Sequence, residues 1–184
     1  MSLSLPAPAE AETLLHDAVK LSPRPWETHL RNVALAAKSI ANHLDELEPD
    51  AAYTLGLLHD IGRRAGKTGM RHTLDGYHHL KNLGFDDATR ISLTHSFPLK
   101  NVHAIFGHWD VSEPELSFVE SYIEEVTYDD YDRLIQLCDC LATSDSIVLI
   151  EKRMIDVALR YDVNELIVSK WKAYIAIQIF FKIS

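Results

Sequence analysis

Residues 53–85 read YTLGLLHDIGRRAGKTGMRHTLDGYHHLKNLGF, and the order of residue types along them decides how the rest of the chain is read. An aliphatic run ends in His59-Asp60. Four cations (Arg63, Arg64, Lys67 and Arg71) follow within eleven residues, and then come His72, His78 and His79. Ala52, Leu55 and Leu58 recur at steps of three, so the run before the doublet is one face of a helix. A second helix is expected after the patch, ending at Gly84, a residue favoured just past a helix C-terminus. The stretch is therefore helix, cationic connection, helix. A chain of formal net charge −9 concentrates positive charge beside a His-Asp pair, and that asks for a chemical reason.

Composition limits the reasons. With 184 residues, 47% hydrophobic and 24% charged, the chain has the size and make-up of one globular domain with a real core. Its acidic excess argues against a broad basic face for DNA, RNA or an anionic membrane. An anionic small molecule remains compatible with locally concentrated cations. The opening MSLSLPAPAEAETLL has neither a basic n-region nor a continuous apolar h-region, so no secretory signal is expected there. No apolar run reaches bilayer-spanning length. Cys138 and Cys140, two apart on a helix, point in different directions and can neither bridge nor chelate one ion together. They read as buried, reduced thiols in a cytoplasmic setting. The closing YIAIQIFF is apolar but short, a docking segment or part of a homodimer interface.

The three-and-four spacing extends outward from the opening stretch. Leu30, Val33, Ala37, Ile40, Leu44 and Leu47 lie on one stripe of a helix expected over about 27–47, with Pro25 and Thr28 at its start and Pro49 at its stop. Further helices are expected over about 50–60, 73–83, 86–96, 114–125, 128–144, 146–161 and 163–180, with Pro98 stopping the fourth. PLKNVHAIFGHWDVSEPEL is the longest segment without periodicity. Period-two alternation is scarce, and neither an internal repeat nor a Gly/Ser linker is present. The expected fold class is all-α, in one domain.

Several polar residues fall on the apolar faces of these helices. His29 lies three after Trp26 and four before Val33; His59 lies four after Leu55; His95 lies four after Ile91. Asp139 follows Ile135 by four and precedes Ala142 by three. A buried carboxylate needs a cation or a set of hydrogen bonds, and inward imidazoles and carboxylates from several helices are what a metal site in a bundle core requires. Each residue alone also has a simpler reading. A lone inward histidine is commonly a hydrogen-bonded core residue, Asp139 could accept from a helix end, and the patch from Arg63 to Arg71 could be a solvated loop. His78, His79, His103 and His108 read at least as readily as rim residues.

Taken in order, the residues resemble the HD superfamily of metal-dependent phosphohydrolases over about 26–145. The resemblance rests on His29 in WETHLRNVALAAKSIA, His59-Asp60 in LGLLHDIGRR, His72 with Gly76 in RHTLDGYHHLKNLGF, His95 in ISLTHSF and Asp139 in LIQLCDCLA. It implies a helical bundle with a central metal site. His29, His59, Asp60 and Asp139 would hold one ion. His72 and His95 would help hold a second, with Asp60 bridging. The mixed nitrogen and oxygen set suits Fe, Mn, Zn, Ni or Co, with Mg as a further candidate. One domain over 1–184 is implied, with segment 1–25 and the helices of 146–184 packing on the metal-site core.

The implied reaction is hydrolysis of a small phosphorylated substrate such as a nucleotide. Asp60 and Arg63 would act in catalysis, and Arg63, Arg64 and Lys67 would neutralise the substrate's phosphate. Many relatives carry Lys where this chain has Arg63, which keeps the charge and leaves the substrate class open. Gly62 and Gly66 would let the loop's backbone approach the phosphate. Two other readings share the ligand set: an HD-type di-iron oxygenase, and a non-catalytic module with a structural metal.

Overall fold

In the computed structural model, which describes residues 3–183, the helices run α1 (Pro8–Leu21), α2 (Trp26–Ala41), α3 (Pro49–Leu58), α4 (Arg71–Leu83), α5 (Asp86–Thr94), α6 (Glu113–Glu125), α7 (Asp130–Leu141), α8 (Ile150–Ala158) and α9 (Glu165–Phe180). A 3₁₀ segment, Ile61–Ala65, follows α3 directly. Among the described residues there is no strand, only an isolated antiparallel bridge between Ala142 and Ile147. The fold is all-α. No helix among the described residues is long and apolar enough to cross a membrane.

Most boundaries follow the spacing within a few residues, and the departures have local causes. The expected helix 27–47 ends at Ala41, because His43, Leu44 and Leu47 bond back to Ile40, Ala41 and Leu44 in tightened turns. Leu47 is still buried, so the apolar stripe continues although the helix does not. The spacing analysis assigns no helix to residues 1–25, yet α1 forms there. Pro8 occupies its first turn and Ala11, Leu15 and Ala18 make a narrow buried stripe. The aperiodic segment 98–112 is irregular in the structure, as its sequence implies.

The main core draws on α1, α2, α3, α7 and α9, and includes Leu30, Leu55, Leu57, Leu58 and Leu134, all fully buried. Each such side chain contributes about 1.5–3 kcal/mol by leaving water. Glycine lets α2 and α3 pack closely: a Cβ on Gly56 would sit 2.5 Å from the Ala34 Cα. A smaller cluster around Leu74, Leu93, Phe97, Val119 and Ile123 fixes α6 against α4 and α5. On α9, Tyr174 and Ile177 face the core, while Ile175, Ile179 and Phe180 stay exposed.

A buried polar lattice locks α5 to α7. Thr94 donates through Oγ1 to Asp132 at 2.6 Å, and Arg90 pairs with Asp132 at 2.9 Å and with Asp129 at 2.5 Å. Gln136 donates from Nε2 to the Thr94 carbonyl at 3.2 Å. Asp132 also accepts from the Asp129 backbone in a capping box that starts α7. The lattice therefore holds the C-terminal end of α5, which carries His95, against the helix that carries Asp139. Asp132→Ala leaves Arg90 paired with Asp129 but removes the acceptor of Thr94 and one carboxylate of Arg90, and is expected to cost about 1–3 kcal/mol. A urea midpoint matching wild type would show that the lattice contributes nothing to stability.

Candidate metal centre

Six elements bring the six ligand candidates together. His29 comes from α2, His59 from the end of α3, Asp60 from the start of the 3₁₀ segment, His72 from the first turn of α4, His95 from the end of α5 and Asp139 from α7. The sequence reading places His72 just before its helix; in the structure α4 begins at Arg71 and His72 is buried within it. That helix start is held from a distance. Asp110, in the irregular segment, accepts from the Gly69 and Arg71 backbone N–H groups at 2.7 and 2.8 Å, as a capping side chain does. Burial pushes the Asp110 carboxyl up, but these two bonds outweigh it and hold it below its ordinary value.

The imidazoles form a row. Ring centroids are 5.4 Å apart for His29 and His59, 4.9 Å for His59 and His95, and 5.7 Å for His72 and His95. His29, His59 and Asp139 offer ligand atoms within 4.8 Å of one another, and so do His59, Asp60 and His95. His72 joins through Asp60, its Nε2 lying 3.0 Å from Asp60 Oδ1. The structure thus brings all six candidates to one place, in two groups meeting at the consecutive pair His59-Asp60.

Three of the rings are oriented in the same way. His59, His72 and His95 each place Nδ1 against the carbonyl three residues earlier: Gly56 at 2.7 Å, Gly69 at 2.6 Å and Ser92 at 3.0 Å. A carbonyl can only accept, so Nδ1 carries the proton and the Nε2 lone pair points inward. This is the outer-shell hydrogen bond that fixes the tautomer of metal-ligating histidines.

The charges favour a cation at the centre. Burial pushes the Asp60 carboxyl up, but the Arg63 guanidinium and His72 outweigh it, leaving it well below the usual carboxylate range. Asp139 is likewise held well below, with burial overcome by His29 and His59. Burial pushes His59 down, and Asp139 and Asp60 more than reverse it; burial beside His59 leaves His95 below its ordinary value. The buried His59 Nε2 and Asp60 Oδ1 make no well-formed hydrogen bond, although Asp60 Oδ1 lies 3.0 Å from His72 Nε2 and His59 Nε2 lies 3.6 Å from Asp139 Oδ1. Buried polar atoms without partners are costly. Orphaned nitrogen and oxygen donors facing each other are a donor set that a transition-metal ion completes, so the residues fit a divalent metal.

The family model described as HD domain matches residues 26–144. The chain belongs to the HD domain family. No curated protein and no solved structure matches it. The matched span covers α2 to α7 and with them all six ligand candidates of the HD domain. Helices α1, α8 and α9 lie outside it.

The candidate ligands of the HD domain open onto a cavity of ≈ 920 Å³, within the range that small-molecule sites occupy. His29, Asp60, His72, His95 and Asp139 line it, and so does Arg63. Arg63 donates through Nε to Asp60 Oδ2. Arg64 and Lys67 are not in the lining. Gly62 is not a freely moving loop residue either: it is buried, and a Cβ there would lie 1.9 Å from the His72 carbonyl oxygen. The other cations of the lining come from α8, α9 and the turn after α8: Lys152, Arg153, Arg160 and Lys170. Sequence reasoning missed them. Lys170 did carry a signal, since it lies three after Ile167 and four before Tyr174, on the inward stripe of α9.

A pH dependence follows from these directions. Asp60 and Asp139 stay ionised far below neutrality, so protons compete with metal mainly at the imidazoles. Apparent metal affinity is expected to fall as pH drops through about 6.5, measured by competition with a chromophoric chelator. A flat profile from about pH 8 to pH 5 would remove the histidines from the ligand set.

Proposed function

We propose that the chain is a metal-dependent phosphohydrolase cleaving a phosphoester or phosphoanhydride bond of a small nucleotide or another phosphorylated metabolite, with one or two divalent transition-metal ions. The observation that carries this reading is the meeting of two ligand groups at His59-Asp60 inside a cavity that also contains Arg63. Bound ions would lower the pKa of a water and polarise the phosphoryl oxygens under attack.

The chain's own residues supply the rest. His29, His59, Asp60 and Asp139 hold one position, and His72, His95 and Asp60 the other. Nδ1–H bonds to main-chain carbonyls keep the Nε2 atoms of His59, His72 and His95 aimed inward. Arg63 steadies Asp60 while its guanidinium, one-third exposed, faces the cavity where a phosphoryl oxygen would lie. The further cations of the lining, Lys152, Arg153, Arg160 and Lys170, support an anionic substrate, and so favour hydrolysis over oxygen activation on the same ligands.

The test is metal analysis of protein purified without chelator, followed by a screen of phosphorylated metabolites with each candidate metal for phosphate or nucleotide release. A metal-loaded chain that turns over none of them sinks the reading. The two-ion version makes a narrower prediction. A His72→Ala, His95→Ala double variant should keep one metal per chain and lose the second, with a large fall in turnover. One equivalent of metal in both wild type and variant, under metal-replete conditions, would rule out the second ion.

A further inference from the structure

Lys170 is 2% exposed, and its surroundings leave its charge incompletely answered. Its Nζ donates to the carbonyls of Ser96 and Ala104, both at 2.9 Å, and lies 4.6 Å from the Phe106 ring centroid. An ammonium has three donors, so one remains. No carboxylate lies within ion-pair distance of it among the described residues. Asp139 acts on it only through space, and burying a cation with no anion in contact is unfavourable.

Arg153 lines the same cavity and is half-buried, with neither a side-chain hydrogen bond nor an ion pair among the described residues. It acts electrostatically on Cys140, as Lys170 does, which puts the two cations on the same side of the cavity. Lys152 is exposed at the edge. Arg160 spends only its Nε, on the Asp156 carbonyl at 3.0 Å. Carboxylates were at hand, since the chain has 27 acidic residues against 18 basic. Asp145 and Asp156 themselves line the cavity. Elsewhere Arg31, Arg71, Arg90 and Arg133 are each paired with one to three of them.

We propose that α8 and α9 form a second anion-binding wall, in which Arg153 and Lys170 hold a phosphate-class oxyanion of the ligand. This rests on the reading that the cavity takes a phosphorylated molecule, and it narrows that reading. Part of the oxyanion recognition then belongs to α8 and α9 rather than to the 3₁₀ segment that carries Arg63. The wall lies outside the span matched by the HD domain, so the selectivity belongs to this chain's additions and not to the shared metal-site core. Burial lowers the Lys170 pKa to about 8, which leaves the ammonium largely charged at neutral pH.

The probe is inorganic sulfate, a tetrahedral dianion that ligates transition metals weakly, titrated calorimetrically into the full chain as purified, at fixed ionic strength. Metal content is measured in every sample. Wild type is expected to bind sulfate saturably. Arg153→Gln and Lys170→Gln should each weaken binding at least about tenfold, as loss of a charge-assisted hydrogen bond does, with metal content unchanged. Lys170→Gln removes two core-facing hydrogen bonds and can disturb folding; Arg153→Gln sits on a half-buried face and keeps the test decisive. Absence of sulfate binding in wild type, or wild-type affinity in Arg153→Gln, overturns the wall. Sulfate binding with no turnover of any phosphorylated compound keeps the wall and sinks the hydrolase reading. Turnover without sulfate binding does the opposite.

Discussion

Asp60→Ala is expected to strip the chain of metal and of turnover together, the latter by at least about 10²-fold, a scale reached on losing even an outer-shell partner of a ligand. No other residue touches so much of the site. Asp60 Oδ1 lies 3.0 Å from His72 Nε2 and 3.4 Å from His95 Nε2, while Oδ2 accepts from Arg63. Removing the carboxylate leaves the imidazoles without the charge they converge on and leaves the one-third-exposed Arg63 side chain unpaired, a further loss that solvent screening holds to about 1 kcal/mol. Asp60→Asn keeps the volume and separates the loss of charge from the loss of packing. Metal content by mass spectrometry and turnover on any substrate found are the measurements. Wild-type values for both in Asp60→Ala would take Asp60 out of the site.

Gly62→Ala should be nearly as damaging although it changes no ligand. The added Cβ would meet the His72 carbonyl oxygen at 1.9 Å and the Gly76 nitrogen at 2.5 Å. Both are backbone atoms, so relief requires the 3₁₀ segment and α4 to separate. Overpacking of this kind costs about 3 kcal/mol or more when backbone must move. The separation would carry His72 away from Asp60, so metal loading should fall along with the urea midpoint. A variant that melts with wild type and keeps two metals would show that the contact yields easily.

The site's ligands were legible because each sits on the apolar stripe of its helix or at that helix's end, where periodicity alone says which way it points. His29, His95 and Asp139 needed nothing more than their distance from Val33, Ile91 and Ile135. The cationic patch was harder, because adjacency in sequence does not set direction. In a 3₁₀ turn residues three apart eclipse one another, which brings Arg63 back over Asp60 and leaves Arg64 and Lys67 outside the cavity lining. Arg153 and Lys170 illustrate the opposite limit. Spacing puts Lys170 on the inward stripe of α9, but that either residue reaches this cavity depends on how α7, α8 and α9 pack together, which no local spacing carries. The same holds for Asp110, whose capping of α4 spans 39 residues to Arg71. Helix α1 escaped notice for a different reason: a stripe made largely of alanine gives little hydrophobic contrast against its Glu-rich flanks.

The three imidazoles oriented by carbonyls three residues upstream have a consequence for how this site tolerates sequence drift. In many metal centres the outer-shell partner is a carboxylate side chain, which substitution can delete or retune. Here Gly56, Gly69 and Ser92 serve through main-chain oxygens, and no codon change removes a carbonyl. A substitution there therefore acts through packing alone, severely at Gly56 and Gly69, where an added Cβ would meet the Ala34 and His108 backbone at 2.5 Å, and never by deleting the group that sets the tautomer of His59, His72 or His95. Adaptation toward a different metal or substrate is left to the ligands themselves and to the cavity wall, the parts of the molecule still free to diverge.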